Sequence, residues 1–186
     1  MIGYAFCGSH CTLSASLAVL ELLCRSGREV IPILSESVCT ADTRFWQASA
    51  FREKVESITG RQAICSIVNA EPLGPAKPLE ALIIAPCTGN TLAKLARGIT
   101  DSTVCMAAKA HLRQDRPLLI APASNDAMSA NLANLATLLG RKAVYFVPMR
   151  QDDPIGKPHS LIADFACIPR ALEAAEAGEQ LRPLFL

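Results

Sequence analysis

Apolar and polar positions along the chain alternate between two kinds of segment. Residues 4–6, 30–34, 81–85, 118–121 and 144–147 are short, nearly unbroken apolar runs, too short for helices, and read as buried parallel strands. Residues 63–65 make a possible further short strand. Between the runs, apolar residues recur at helical spacing. Leu13, Leu17, Leu20 and Leu23 mark one helix, closed by Gly27; Trp46, Phe51, Val55 and Ile58 mark another, capped at Asp42 or Thr43 and stopped at Gly60. Leu92, Leu95 and Ile99 follow, then a helix over 101–110 with Asp101 or Ser102 as cap. Leu132, Leu135 and Leu139 lead to Gly140, and a terminal helix spans 170–177.

Proline and glycine punctuate the pattern. Pro32 implies a bulge or irregularity in the second strand, and Pro86 and Pro122 end theirs. Residues 71–78 hold three prolines and a glycine, which excludes regular structure and implies a surface connection. Residues 35–40 and 151–160 read as polar loops.

Strands that alternate with helices predict an α/β fold, a three-layer, doubly wound and mostly parallel sheet, with residues 1–186 as one domain. Ligands of such sheets bind at the carboxyl ends of the strands, near the switch in strand order. Four polar loops fall there: 8–10, 35 onward, 88–91 and 124–128.

The second half of residues 81–91 sharpens this. An apolar strand is followed by Thr88, Gly89, Asn90 and Thr91 and then by a helical pattern. A strand, a tight polar loop and a helix start bring free N–H groups and a positive dipole end together, as anion sites do. The alternative is a plain connection with Thr88 as a cap.

Composition narrows the classes. Hydrophobic residues make up 51% and charged ones 19%, which leaves apolar surface for subunit contacts. A net charge of +1 lacks the basic field of nucleic-acid binders. The chain begins without a basic leader, and no apolar run approaches the roughly 18 residues of a membrane span. A cytoplasmic protein, with no nucleic acid and no membrane as partner, is expected. Eight cysteines are too sparse for a disulfide scaffold, and Cys7 and Cys11 have no second pair or nearby histidine cluster to complete a zinc site. Most should be reduced core residues, and no metal is expected.

A dinucleotide fingerprint needs three glycines; the first loop has Gly8 followed by Ser9 and His10. Glu36, after the second strand, stands where a ribose-binding acid would and keeps a nicotinamide dinucleotide open. No Walker loop occurs. Hydroxyl-rich loops with one glycine better suit a single terminal phosphate.

Three loops carry a resemblance. Cys7-Gly8-Ser9-His10, Ala85-Pro86-Cys87-Thr88-Gly89-Asn90-Thr91 and Pro122-Ala123-Ser124-Asn125-Asp126-Ala127-Met128 resemble those of the homo-oligomeric flavin-containing cysteine decarboxylase-like flavoproteins. The second is similar to that family's P-A-S-A-N-T loop. The third is similar to its P-x-M-N-x-x-M loop, with Ser124 at the first methionine. Within that family, residues 8–12, 43–45, 70–75, 106–110 and 151–154 together resemble the dipicolinate synthase B-subunit group.

The resemblance implies FMN at the sheet edge. Gly8, Ser9 and His10 would lie beside the flavin, Ser35 would bind it, Cys87 would pack against it, and Thr88, Gly89, Asn90 and Thr91 would cradle its phosphate. It also implies a trimer-based homo-oligomer, a partner in the A subunit of dipicolinate synthase, and oxidation of dihydrodipicolinate to dipicolinate in the mother cell of a sporulating bacterium. A small dicarboxylate substrate needs donors. Asn125 is the first candidate for substrate contact, and Lys109 and Lys157 are further substrate candidates. Each has a plainer reading, as a turn asparagine, a solvated helix lysine and a surface-loop lysine.

The sequence departs from the decarboxylases. Their histidine after the second strand has no counterpart between Ser35 and Glu80, since the three histidines are His10, His111 and His159. The late loop lacks their cysteine. The alternatives are a flavin-dependent decarboxylase of a small acid and a non-catalytic phosphate-binding scaffold subunit.

Overall fold

The computed structural model describes residues 1–74 and 79–186; the second half of the proline-rich connection, residues 75–78, lies outside them. Seven strands form one sheet: β1 (Ile2–Phe6), β2 (Val30–Leu34), β3 (Leu82–Cys87), β4 (Leu118–Ser124), β5 (Val144–Phe146), β6 (Met149–Arg150) and β7 (Leu161–Ala163). Their order is β2-β1-β3-β4-β7-β6, with β5 also on β4. The pairs among β1 to β5 are parallel, and β7 pairs antiparallel with both β4 and β6. The chain leaves β1 for β2 on one side and returns to β3 on the other, so the order switches between β1 and β3.

The eight α-helices of the described residues are α1 (Leu13–Arg25), α2 (Glu36–Thr40), α3 (Ala48–Thr59), α4 (Ile67–Ala70), α5 (Gly89–Arg97), α6 (Thr103–Leu112), α7 (Leu132–Leu139) and α8 (Ile168–Glu176). The unbroken apolar strands bury both faces, because alternate side chains point to opposite sides. Tyr4, Phe6, Ile83 and Leu119 join α1, α3 and α8 on one face, around Phe51 and Leu20. Ala5, Ile84, Leu118 and Ile120 join α5, α6 and α7 on the other, around Leu92 and Leu135. The three-layer, mostly parallel expectation therefore holds.

Several local expectations change. Pro32 causes no bulge: β2 pairs with β1 in register from Val30 to Leu34. The outward edge of β2 is covered by Ile64, whose N–H donates to the Pro32 carbonyl (2.9 Å) and whose carbonyl accepts from Leu34 (2.9 Å). Pro32 thus turns its missing donor to the sheet edge, where a proline is tolerated. Residues 63–65 contribute only that bridge, not a strand. Pro86 and Pro122 do not end their strands. The β3–β4 register shifts between Ile84 and Cys87, and the Ser16 hydroxyl takes the Ala85 carbonyl at 2.6 Å. The carboxyl end of β4 is extended by β7 through Ala123 and Ser124.

Residues 36–40 form a short helix rather than a loop, and Glu71–Leu73 form a 3-10 turn where no regular structure was expected. The helix capped at Asp42 or Thr43 begins only at Ala48, yet Asp42 still accepts its first N–H at 2.9 Å. Ser102, not Asp101, caps α6. Cys39 and Cys65 are joined, tying α2 to the segment beside Ile64; the other six cysteines are free.

The other open edges are also covered. Gln180 pairs both ways with Phe146 of β5, accepting from its N–H (2.8 Å) and donating to its carbonyl (2.7 Å). Met149 of β6 donates to Leu184 and accepts from Leu186.

His111, in the last turn of α6, is buried with Nε2 2.9 Å from the Pro117 carbonyl. That contact places the proton on Nε2, and Nδ1 has no partner among the described residues. Burial lowers its pKa, outweighing the Pro117 contact, which raises it. The unfolded chain, at about 6.5, therefore takes up the proton first as pH falls. The stabilisation is complete above about pH 6.5 and drains away as the pH falls towards the folded value. The urea midpoint should drop between about pH 7 and about pH 5, and His111→Gln should flatten that drop while lowering the midpoint at pH 7.

Candidate active site

The β1/β3 switch carries the site. The Cys7 N–H donates to the Pro86 carbonyl (3.2 Å), which holds the 8–10 loop against the 88–91 loop. Two hollows open here. The larger, about 500 Å³, is walled by Gly8–Thr12, Thr88–Asn90 and Ala123–Asp126, together with Arg44, Phe45 and part of the 152–162 segment. The smaller, about 390 Å³, is walled by Cys7, Ser35, Glu36, Ser37, Thr91, Lys94 and Ser102. Gly8, Thr88 and Asn90 border both, so the two meet across one ridge.

The ridge is a helix start. Thr88 caps α5, its hydroxyl accepting from the Thr91 N–H (3.3 Å) and lying 3.1 Å from the Thr91 hydroxyl. Thr91 in turn donates to the Cys7 sulfur at 3.3 Å. The first N–H groups of a helix have no intrahelical acceptor, which leaves those of Gly89 and Asn90 for a ligand. Gly89 is required for a close approach. A Cβ there would lie 2.5 Å from the Ser124 hydroxyl and 2.6 Å from both Asp126 Oδ1 and Asn131 Nδ2.

Those three atoms form the hub of the third loop. Asp126 accepts from the Ser124 hydroxyl and from Asn131 Nδ2 (2.9 Å), and Asn134 donates to Asn131 (3.0 Å). The Met128 N–H donates to the His159 carbonyl at 2.9 Å, which docks the 151–160 loop on the hub. Asn125 is exposed on the wall of the larger hollow.

Charge is distributed unevenly. Lys157 pairs with Asp152 at 3.0 Å, and the Ser160 hydroxyl and Lys157 hold the Asp152 carboxyl below the ordinary carboxylate range. Lys94 pairs with Asp101 at 2.8 Å. Glu36 Oε1 accepts from the Thr103 N–H and hydroxyl, both at 2.8 Å. That carboxylate is therefore engaged at the start of α6, which corrects the reading of Glu36 as a ribose-binding acid. Burial pushes the Cys7 thiol up to about 12 and Cys87 well above its ordinary value, so neither is a thiolate nucleophile at neutral pH.

Gly8, Ser9, His10, Ser35, Thr88, Gly89, Asn90, Thr91, Asn125 and Lys157 all border one hollow or the other. Two expected residues do not. Cys87 is fully buried and lines neither. Lys109 is exposed in the last turn of α6, whereas the end of that helix facing the site is Ser102. Sequence reasoning missed Arg44 and Phe45 as cleft residues, and also Asp126, Asp152 and Ser160. The Thr43-Arg44-Phe45 segment, the 124–128 loop and residues 151–154 were the available signals. Among the described residues no cluster of His, Cys, Asp and Glu could hold a metal.

Comparison with known proteins shows the family. The model of the Flavoprotein family matches residues 2–164. The B subunit of dipicolinate synthase from Bacillus subtilis (strain 168) is 43% identical over 185 residues, spanning 100% of this chain and 92% of that protein. The crystal structure of the corresponding B subunit from Bacillus halodurans superposes with a TM-score of 0.92 at 40% identity, over 100% of this chain and 95% of that one. The FMN-dependent cysteine decarboxylase SpaF superposes with a TM-score of 0.66 at 25% identity, over 94% and 95%. The chain belongs to the Flavoprotein family and, within it, to the dipicolinate synthase B-subunit group.

Proposed function

We propose that this chain is the flavin-carrying subunit of a dipicolinate synthase, oxidising dihydrodipicolinate to dipicolinate together with the A subunit during sporulation. The carrying observation is the meeting of two hollows at the start of α5. The smaller offers hydroxyls from Ser35, Ser37 and Ser102, the Lys94 ammonium and helix N–H groups, a donor set suited to the phosphate of FMN. The larger is of the size of a small-molecule site and suits a planar ring with a substrate beside it. Gly8, Ser9 and His10 would border the ring, and Thr88 to Thr91 the phosphate end.

Loss of two hydrogens makes the dihydropyridine ring aromatic, and FMN, when bound, supplies a hydride acceptor. The chain's own residues orient and hold. Asn125 offers an amide to a substrate carboxylate or ring nitrogen. Lys157 offers an ammonium from the 151–160 loop once released from Asp152. The hub at Asp126 keeps the Asn125 wall fixed against α5, so the reacting faces meet in one orientation. The partner in this reading is the A subunit, the assembly of copies is trimer-based, and the setting is the cytoplasm of the mother cell. Among the described residues no helix is long and apolar enough to cross a membrane.

The test is co-purification with the A subunit, followed by the absorption spectrum and a dipicolinate assay. A flavin spectrum and dipicolinate formation only in the complex are expected. A colourless complex that still makes dipicolinate would remove the flavin from the reading, and carbon dioxide release from a cysteine-type acid by the lone chain would favour a decarboxylase. Thr88→Val keeps shape but loses the cap and a hydroxyl; it should cost about 1 kcal/mol of stability and about tenfold in FMN affinity, while Thr88→Ser retains both. Fluorescence titration of FMN and a urea curve check this.

A further inference from the structure

We infer that Arg44 is the residue that recognises a carboxylate of the substrate and gives the cleft its preference for a dicarboxylate over a monocarboxylate. The inference rests on reading the larger hollow as a small-acid site.

Arg44 is the cation of that hollow with no ionic partner among the described residues, whereas Lys157 is committed to Asp152. It lines the same hollow as Asn125 and comes from the irregular segment between α2 and α3. Such a segment would ordinarily be mobile, yet this one is braced from end to end. The Thr43 N–H donates to the Trp46 carbonyl (2.9 Å), and the Thr43 hydroxyl accepts from the N–H groups of Phe45 and Trp46 (3.2 Å each). The Trp46 indole N–H donates to Ser14 on α1 (3.1 Å), and its ring packs edge-on to Phe51 with centroids 5.3 Å apart. Asp42 ties the segment to the first turn of α3 (2.9 Å).

The guanidinium lies over the Phe45 ring, its carbon 4.8 Å from the centroid. An aromatic face under an arginine restrains the plane of the fork without using its N–H donors. Arg44 is exposed at the cleft, and its guanidinium has no ion-pair partner among the described residues, so its donors keep the planar geometry that matches a carboxylate with two parallel hydrogen bonds. A ligand that placed one carboxylate at Asn125 would present a second to Arg44 only if it were a dicarboxylate. A lysine at this position would keep the charge and lose the fork.

Isothermal titration of the FMN-supplemented chain with pyridine-2,6-dicarboxylate and with pyridine-2-carboxylate, on wild type, Arg44→Gln and Arg44→Lys, tests this. FMN affinity is measured separately by fluorescence, and folding by the thermal midpoint. Arg44→Gln should weaken the dicarboxylate by about 10- to 100-fold and the monocarboxylate much less, so that the preference collapses; Arg44→Lys should fall between, and FMN affinity should not change. Equal losses for both ligands, no loss for either, or a wild type that binds no dicarboxylate would overturn the inference. Loss of FMN affinity in Arg44→Gln would overturn it too, by moving Arg44 to the cofactor. If FMN itself does not bind wild type, the flavin reading fails while the same titrations on the chain alone still decide the role of Arg44.

Discussion

Gly89→Ala is expected to abolish measurable FMN binding and to lower stability by about 1–3 kcal/mol, the range for forcing a methyl group into a filled space. The size of the effect follows from what the added carbon would meet. Ser124 Oγ, Asp126 Oδ1 and Asn131 Nδ2 all stand at 2.6 Å or less from its position. None is the free end of a flexible chain: Asp126 is held by Ser124 and Asn131, and Asn131 by Asn134. Room for the methyl group can come only from parting α5 from the third loop. That movement would shift the Gly89 and Asn90 N–H groups where the two hollows meet and carry Asn125 away from the ridge. FMN fluorescence and a urea midpoint read the two consequences separately. A variant that binds FMN as wild type would show that the hub yields, and that the junction is less rigid than its bonds imply.

Phe51→Ala is expected to cost about 3–5 kcal/mol, the range for truncating a buried phenylalanine. Phe51 is fully buried between Phe6, with ring centroids 5.2 Å apart and nearly perpendicular, and Trp46. Its loss would therefore open a cavity under β1 and also remove the floor on which the Trp46 turn rests. The prediction has a second part for that reason: at temperatures where the variant stays folded, its dicarboxylate affinity should fall towards that of Arg44→Gln, although residue 51 is far from solvent. Phe51→Leu should recover most of the stability and part of the binding. Thermal midpoints and the titrations described for Arg44 measure both. Stability lost with dicarboxylate affinity unchanged would separate the turn from the core beneath it.

The sheet and its two cores were legible because residues 81–85 and 118–121 are unbroken apolar runs flanked by helical spacing, a pattern with few other solutions. The loops at Gly8, Thr88 and Asn125 were legible for a topological reason, since each follows a strand whose carboxyl end must lie at the same edge. What escaped had no periodic signal. Strands β6 and β7 have two and three residues and pair antiparallel across a ten-residue loop, so neither length nor alternation marks them. Arg44 reaches the cleft through a turn held by side chains, which sequence spacing does not encode. Lys109 failed for a plain geometric reason. At about 1.5 Å per residue, the six residues from Thr103 carry it roughly 9 Å along α6 from the end that faces the site. Glu36 was read as available for a ribose because the chain around it does not disclose that Thr103 occupies it.

The covered strand edges bear on how copies of this chain can meet. Ile64 sits on β2, Gln180 on β5 and the 184–186 segment on β6, so each exposed ladder already has its partner. An uncovered ladder invites another strand and, repeated from copy to copy, makes an open-ended ribbon. Among the described residues that route is narrowed at each of these edges, by one short segment or one side-chain amide at a time. Copies are left to join through helix faces and loops, contacts that can close on themselves at a fixed number. Association by those contacts can then be finite.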